Sequence, residues 1–343
     1  MPAHRDDLIR RERMPDDVRA FIEAEGLTVK PSVQTLARLL VVVATYAGLF
    51  LAARELGTWW GWTLVWLLQA VLLAGTYSFM HEATHFSLFA SPRANRVAAT
   101  FGAGVLLVNA AQYRAFHMHH HAYTRQENVK GDPVEFRTPL GYVVGGIMMA
   151  GFLGFALPVV VGSFASLFGI YAFYVKSDKI RRDVRRAAWL HLALVVAVLA
   201  WAIVDFSTVA SLWLVPLALF YCAVFGFVSE PEHYGLMPNG SVYETTRTMR
   251  ANRVFGFFYW ENQFHAEHHL APGVPYAGLR RLHTRMDPSR LRVVGYWSFH
   301  LGVLRDLARE QRELKQLRAI GAPDVIDVRE RELVTALRAH RGW

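Results

Sequence analysis

One cysteine, Cys222, stands in 343 residues, so this chain alone builds neither a disulfide framework nor a thiolate-held iron–sulfur cluster. Its reading is that of a small apolar residue in a membrane helix. There is no His-Pro-Gly-Gly stretch of the fused cytochrome type and no Gly-x-Gly-x-x-Gly fingerprint. A built-in haem domain and a built-in flavin or nicotinamide fold are thereby excluded. No internal repeat or low-complexity segment occurs. The chain starts Met-Pro-Ala-His-Arg-Asp-Asp rather than with a short basic run and an apolar core, so no signal peptide is expected and the first apolar span reads as a retained anchor. Polar residues are nearly missing from mid-span, which weighs against a transporter or a plain metal-binding membrane protein.

What the sequence has is apolar length. It is 53% hydrophobic with a mean hydropathy of +0.19, too apolar for a soluble domain of this size. The net charge of +9 and pI near 9.8 come from basic residues beside apolar spans. Positive-inside topology and anionic headgroups explain them, and nucleic acid is not an expected partner. Spans are predicted at residues 35–53, 58–80, 187–204 and 208–228, each long enough at about 1.5 Å per residue to cross a core of about 30 Å. Residues 98–111 are apolar but too short to cross and suit a re-entrant helix. Residues 140–175, interrupted by Pro158, form either a hairpin crossing twice or two interfacial helices, and either choice adds an even number of crossings. The basic stretch 176–186 falls on the cytoplasmic side, and by parity so do the N-terminus and residues 229–343. The expected fold is all-α and integral to the membrane, with four transmembrane helices, or six if 140–175 crosses twice, and a cytoplasmic helical cap. Its divisions are a cytoplasmic segment 1–34 with a short amphipathic helix over 17–24, a membrane domain 35–285, and a cytoplasmic helical segment 286–343.

Histidine spacing carries the chemistry. His117, His120 and His121 fall at i, i+3 and i+4, one face of a helix. His265, His268 and His269 repeat that spacing, His81 and His85 form an i, i+4 pair, and His233 sits in Ser-Glu-Pro-Glu-His-Tyr-Gly. All nine lie just outside predicted spans on one side. A tetrahedral zinc takes four ligands; two irons at four to five nitrogens each would use the whole set, and imidazole suits iron among other transition metals. His119, at i+2, points off the shared face. His191 lies inside a span, and His4, His283, His300 and His340 are isolated, so all five read as packing or surface residues. Glu82, Asp132, Glu230, Glu232, Glu267 and Asn262 are near enough in sequence to orient ligating rings. His81-Glu82-Ala83-Thr84-His85 also fits the H-E-x-x-H of zinc hydrolases, so an intramembrane zinc hydrolase is the rival reading, although it leaves six histidines without a task.

In this order the clusters resemble the three histidine boxes of the membrane fatty acid desaturase superfamily. His81 to His85 looks like the first box, His117 to His121 the second and His265 to His269 the third, with His233 as the additional histidine between the last two. The run from Thr246-Arg-Thr through Phe258-Tyr-Trp-Glu-Asn-Gln-Phe-His to Pro272-Gly-Val-Pro-Tyr-Ala-Gly-Leu resembles the family's approach to and exit from the third box. The likeness covers roughly residues 35 to 285. It implies a di-iron centre on the nine histidines, O2 as co-substrate, and removal of hydrogen from an unactivated C–H bond of a lipid acyl chain. Desaturation is the favoured outcome, and hydroxylation or carotenoid oxygenation the alternative. The implied electron donor is a separate protein, a ferredoxin or b-type cytochrome with its reductase. The implied location is the cell inner membrane with a cytoplasmic active site.

Overall fold

The structure, a computed structural model, describes residues 14–126 and 135–319. His4, His340, Asn128, Asp132 and the end of the expected C-terminal helix lie outside the described residues. The short helix α1 (Asp16–Ala24) is followed by α2 (Ser32–Leu56) and α3 (Trp59–Thr84). Gly57, at φ +60°, takes the left-handed conformation that ends α2, and its N–H donates to the Ala53 carbonyl at 3.0 Å. Thr58 then caps α3, its hydroxyl oxygen accepting the Gly61 N–H at 3.3 Å. So tight a turn makes the two helices antiparallel, and the start of α2 and the end of α3 share one face of the bundle.

Helices α4 (Pro92–Val105) and α5 (Ala110–Tyr123) form a re-entrant pair. Helix α4 runs inward along α3, with Gly102 backed against Met80. The chain turns at Leu107, φ +53°, and Asn109 caps α5 by accepting the Gln112 N–H at 3.0 Å. The apolar stretch 98–111 is therefore the end of one helix, a turn and the start of the next.

Residues 140–175 double back on themselves. Wide π-helical turns at Tyr142–Met148 and Ala150–Ala156 lead into α6 (Leu157–Leu167). The segment starts beside Tyr234, whose ring is 5.2 Å from Tyr142. It packs down the following transmembrane helix as far as Tyr221 and Phe225, then returns to where the Arg185 guanidinium donates to the Ser166 carbonyl at 3.2 Å. It thus enters the bundle and comes back. Gly151 on this segment and Gly226 opposite allow backbone contact that a Cβ would block.

Helices α7 (Asp178–Val204) and α8 (Phe206–His233) complete the bundle. The basic stretch 176–186 is mostly the first turns of α7 rather than a loop, because Ser177 caps the helix at the Ile180 N–H, 3.3 Å away, and Arg and Lys are good helix formers. Helix α8 runs past the predicted end of its span to His233 despite Pro231. Buried Arg247 secures that end by donating to the carbonyls of Pro231 at 2.9 Å and Tyr234 at 2.8 Å. Ser32–Leu56, Trp59–Thr84, Ala150–Leu167, Asp178–Val204 and Phe206–His233 are all long and apolar enough to cross a membrane, and exposed Leu, Val, Phe and Trp side chains cover their outer faces. The fold is an all-α integral membrane bundle.

The cap contains α9 (Arg253–Phe258), α10 (His265–Leu270), α11 (Tyr276–His283) and α12 (Tyr296–Ala319). A two-stranded parallel ribbon, β1 (Thr248–Arg250) with β2 (Val293–Gly295), joins them, a small element that an all-helical reading does not foresee. Val18 and Ile22 of α1 pack with Phe264, Leu279 and Leu282, so the amphipathic helix is spent on the cap. Arg38 of α2 ties the same region down by donating to the carbonyls of Phe257 at 2.6 Å and Gly256 at 2.8 Å.

Candidate metal centre

The nine predicted histidines come together in two adjoining groups. Ring nitrogens of His81, His85, His117, His121 and His268 all lie within 4.8 Å of one another, and so do those of His120, His233, His265 and His269. The second and third boxes are each divided between the groups. His121 stacks on His269 with ring centroids 4.3 Å apart, and His81 lies 6.5 Å from His265. Sequence spacing puts three rings on one face but does not say which ring joins which group.

Seven of the nine are buried, His85 and His120 being the partly exposed pair. In the first group the Nε2 atoms of His85 and His117 are 2.7 Å apart, those of His117 and His121 2.9 Å, and those of His121 and His268 3.1 Å. In the second, His233 and His265 present Nε2 atoms 3.0 Å apart. Burial first, and neighbouring histidines second, push His85, His117, His121, His265, His268 and His269 well below the ordinary imidazole range. These rings are neutral, which is the ligating form. A neutral ring has one N–H, yet His117 Nε2 faces two other nitrogens. Among the described residues no hydrogen-bond partner meets either nitrogen of His81, Nδ1 of His121, His265 or His268, or Nε2 of His269. Buried Nε2 lone pairs that face one another rather than donors, as around His117 and His121, are costly in an apolar setting. A cation between them removes the cost, and the donor set therefore fits metal.

The surrounding groups orient these rings. His233 Nδ1–H donates to the Thr245 carbonyl at 2.8 Å, which leaves Nε2 as its lone-pair side. Glu267, fully buried, accepts from Thr248 Oγ1 and His283 Nδ1, both at 2.5 Å. Glu82 accepts from the Ser87 hydroxyl at 2.8 Å and the Tyr276 N–H at 3.0 Å, with its other oxygen 3.9 Å from His268 Nδ1. Those two bonds hold it behind a histidine rather than free to act as the base of a zinc hydrolase. Its helix pair also belongs to a five-imidazole group, more than a tetrahedral zinc takes. Asn262 and Glu232 lie within 3.4 Å of each other.

His119 packs on Tyr123 and Phe173, away from both groups. His191 is buried against the Ser163 hydroxyl at 3.0 Å. His300 bridges the Tyr142 hydroxyl and the Phe227 carbonyl. His283 is not an isolated residue, because it braces Glu267. No spacing signal marks it, nor Thr245 or Thr248, since their contacts arise from the folding of the cap.

A cavity of about 480 Å³ adjoins the centre, within the range of about 300–1,000 Å³ usual for small-molecule sites. His81, His117, His120, His233 and His265 reach it. Tyr77, Leu153, Phe155 and Phe225 form apolar wall, and Ser229, Glu230, Glu232 and Asn262 a polar one.

A polyhistidine centre at one end of an apolar helical bundle, beside an apolar cavity, defines a membrane-embedded protein whose histidines could hold metal. The fatty acid desaturase family model matches residues 57–300, and the chain belongs to that family. Membership supports an oxidoreductase. No individual curated protein matches the chain.

Proposed function

We propose that the protein is an O2-dependent di-iron desaturase that introduces a carbon–carbon double bond into a lipid acyl chain. The observation that carries this reading is the pair of adjoining imidazole groups facing one cavity. All nine histidines, His81, His85, His117, His120, His121, His233, His265, His268 and His269, serve as ligands. When bound, the iron pair supplies oxygen activation and the oxidising power to remove hydrogen from an unactivated carbon. Tyr77, Leu153, Phe155 and Phe225 exclude water and hold an apolar chain against the histidine end of the cavity. Electrons come from a separate ferredoxin or b-type cytochrome with its reductase. The exposed Lys176, Lys179, Arg181, Arg182, Arg185 and Arg186 support a histidine-bearing end on the cytoplasmic side of the cell inner membrane. The polar wall of Ser229, Glu230, Glu232 and Asn262 favours a second reading, hydroxylation, because it can accept a new hydroxyl group.

The test is expression in a host whose lipids are profiled by mass spectrometry, with His268→Ala as the comparison. Desaturation gives a lipid lighter by two hydrogens, absent with the variant. A lipid heavier by one oxygen supports the second reading, and an unchanged profile overturns the lipid assignment.

A further inference from the structure

We infer that Glu232 is a tenth ligand, its carboxylate completing the four-histidine group so that each half of the centre takes five protein donors. This rests on the two-metal reading above. The groups are unequal, five imidazoles against four, and Glu232 lies beside the smaller one. It directly precedes His233 at the end of α8, and its Oε2 lies 3.5 Å from His265 Nε2, itself 3.0 Å from His233 Nε2. The oxygen thus adjoins the His265 nitrogen of the group, on the wall shared with the cavity.

Glu230 lines the same cavity with a buried, unpartnered Oε2 but, among the described residues, pairs with no ring nitrogen, and two further carboxylates near the rings are engaged elsewhere. Glu82 is held by Ser87 and Tyr276, and Glu267 by Thr248 and His283. The Glu232 side chain is 9% exposed, and the hydrogen bond it accepts from Asn262 Nδ2 goes to Oε1 and is long, at 3.4 Å. Among the described residues Glu232 forms no ion pair with Lys or Arg. A buried carboxylate without a cation is costly. Nine neutral imidazoles, for their part, leave the charge of two bound cations without any anionic donor. Placing the carboxylate on the smaller group answers both deficits. It also makes the two metal positions chemically different, one held by nitrogen alone and the other by nitrogen and a hard anionic oxygen.

The full-length protein in detergent, stripped and reloaded anaerobically with ferrous iron-57, provides the test through bound iron per chain and Mössbauer spectra. The wild type and Glu230→Gln are expected to hold two irons with two distinct quadrupole doublets. Glu232→Gln is expected to bind its second iron more weakly by at least about tenfold, the lower bound for losing even an outer partner of a ligand, and to lose one doublet. Glu232→Asp keeps the charge with a shorter reach, so it retains both irons with one doublet shifted, which keeps the inference testable if the Gln variant does not fold. Wild-type iron content and spectra in Glu232→Gln, or an unshifted pair of doublets in Glu232→Asp, overturn it. A wild type that binds one metal or none overturns the two-metal reading itself, before any variant is compared.

Discussion

Imidazoles kept neutral by burial and by one another compete with protons for whatever they ligate, and the sign of that competition fixes a pH dependence. The folded-state pKa values of His85, His117, His121, His265, His268 and His269 all lie well below the ordinary 6.5. As pH falls through about 6.5 the unfolded chain takes up protons on these rings and the folded chain does not, so stability is full above that value and declines below it. Metal release runs the same way, because a protonated ring cannot ligate. Bound metal and the thermal midpoint of the detergent-solubilised protein are thus expected to be steady above neutrality and to fall together in acid. Metal content that ignores acid while the midpoint drops would contradict this. Adjacent residues give a second expectation: His120→Ala lowers metal affinity by more than about tenfold, whereas His119→Ala, whose ring packs on Tyr123 and Phe173, leaves metal content at the wild-type level. The clustering of the histidines was legible because a helix repeats every 3.6 residues and the spacing of each box obeys it. Its division into five and four was not, because His120 and His121 part company only where α5 meets α8 and α10, a matter of long-range packing.

Elements defined by their own apolar length were readable, and those defined by a neighbour were not. Helices α2, α3 and α8 contain the predicted spans with ends shifted by a few residues, because hydrocarbon length sets them. Residues 140–175 carry enough apolar sequence for two courses, and the choice is made by contacts with α8 that no local pattern encodes. Widened π turns there bring backbone against backbone, and such turns gather at functional sites. The ribbon of Thr248–Arg250 with Val293–Gly295 was equally hidden, its strands being three residues each and distant in sequence. Gly226 tests the contact with α8, because a Cβ at that position would run into the Gly146 and Ile147 carbonyls. Gly226→Val is expected to cost about 1–3 kcal/mol by overpacking, lowering the thermal midpoint, and to reduce turnover more than metal content, since the displaced segment lines the cavity through Met149 and Leu153. Equal losses of metal and turnover would place the damage at the histidines instead.

The molecule as a whole gathers four distant histidine segments at one end of an apolar bundle and surrounds that end with basic residues. On the proposed function such an arrangement would separate two tasks, the apolar cavity taking the chain and the charged face meeting a soluble partner. Helix α7 contributes both, since its first turns expose Arg181, Arg182, Arg185 and Arg186 while Val184 packs on Ala115 of the histidine-bearing α5. Packed helices lie about 8–10 Å apart, so a carrier seated on those turns stands one helix away from His117 and His121. The proposed donor, if an acidic one-electron carrier, would be drawn to this face, with an attraction screened beyond about 8 Å at physiological salt. The apparent KM for such a carrier in steady-state assays is therefore expected to rise with added salt. The double variant Arg182→Glu and Arg186→Glu is expected to raise it by about tenfold or more at low salt, flatten its salt dependence and leave iron content unchanged. If KM and its salt dependence match the wild type, the carrier docks on another face, and electrons reach the histidines without crossing α5 from the α7 side.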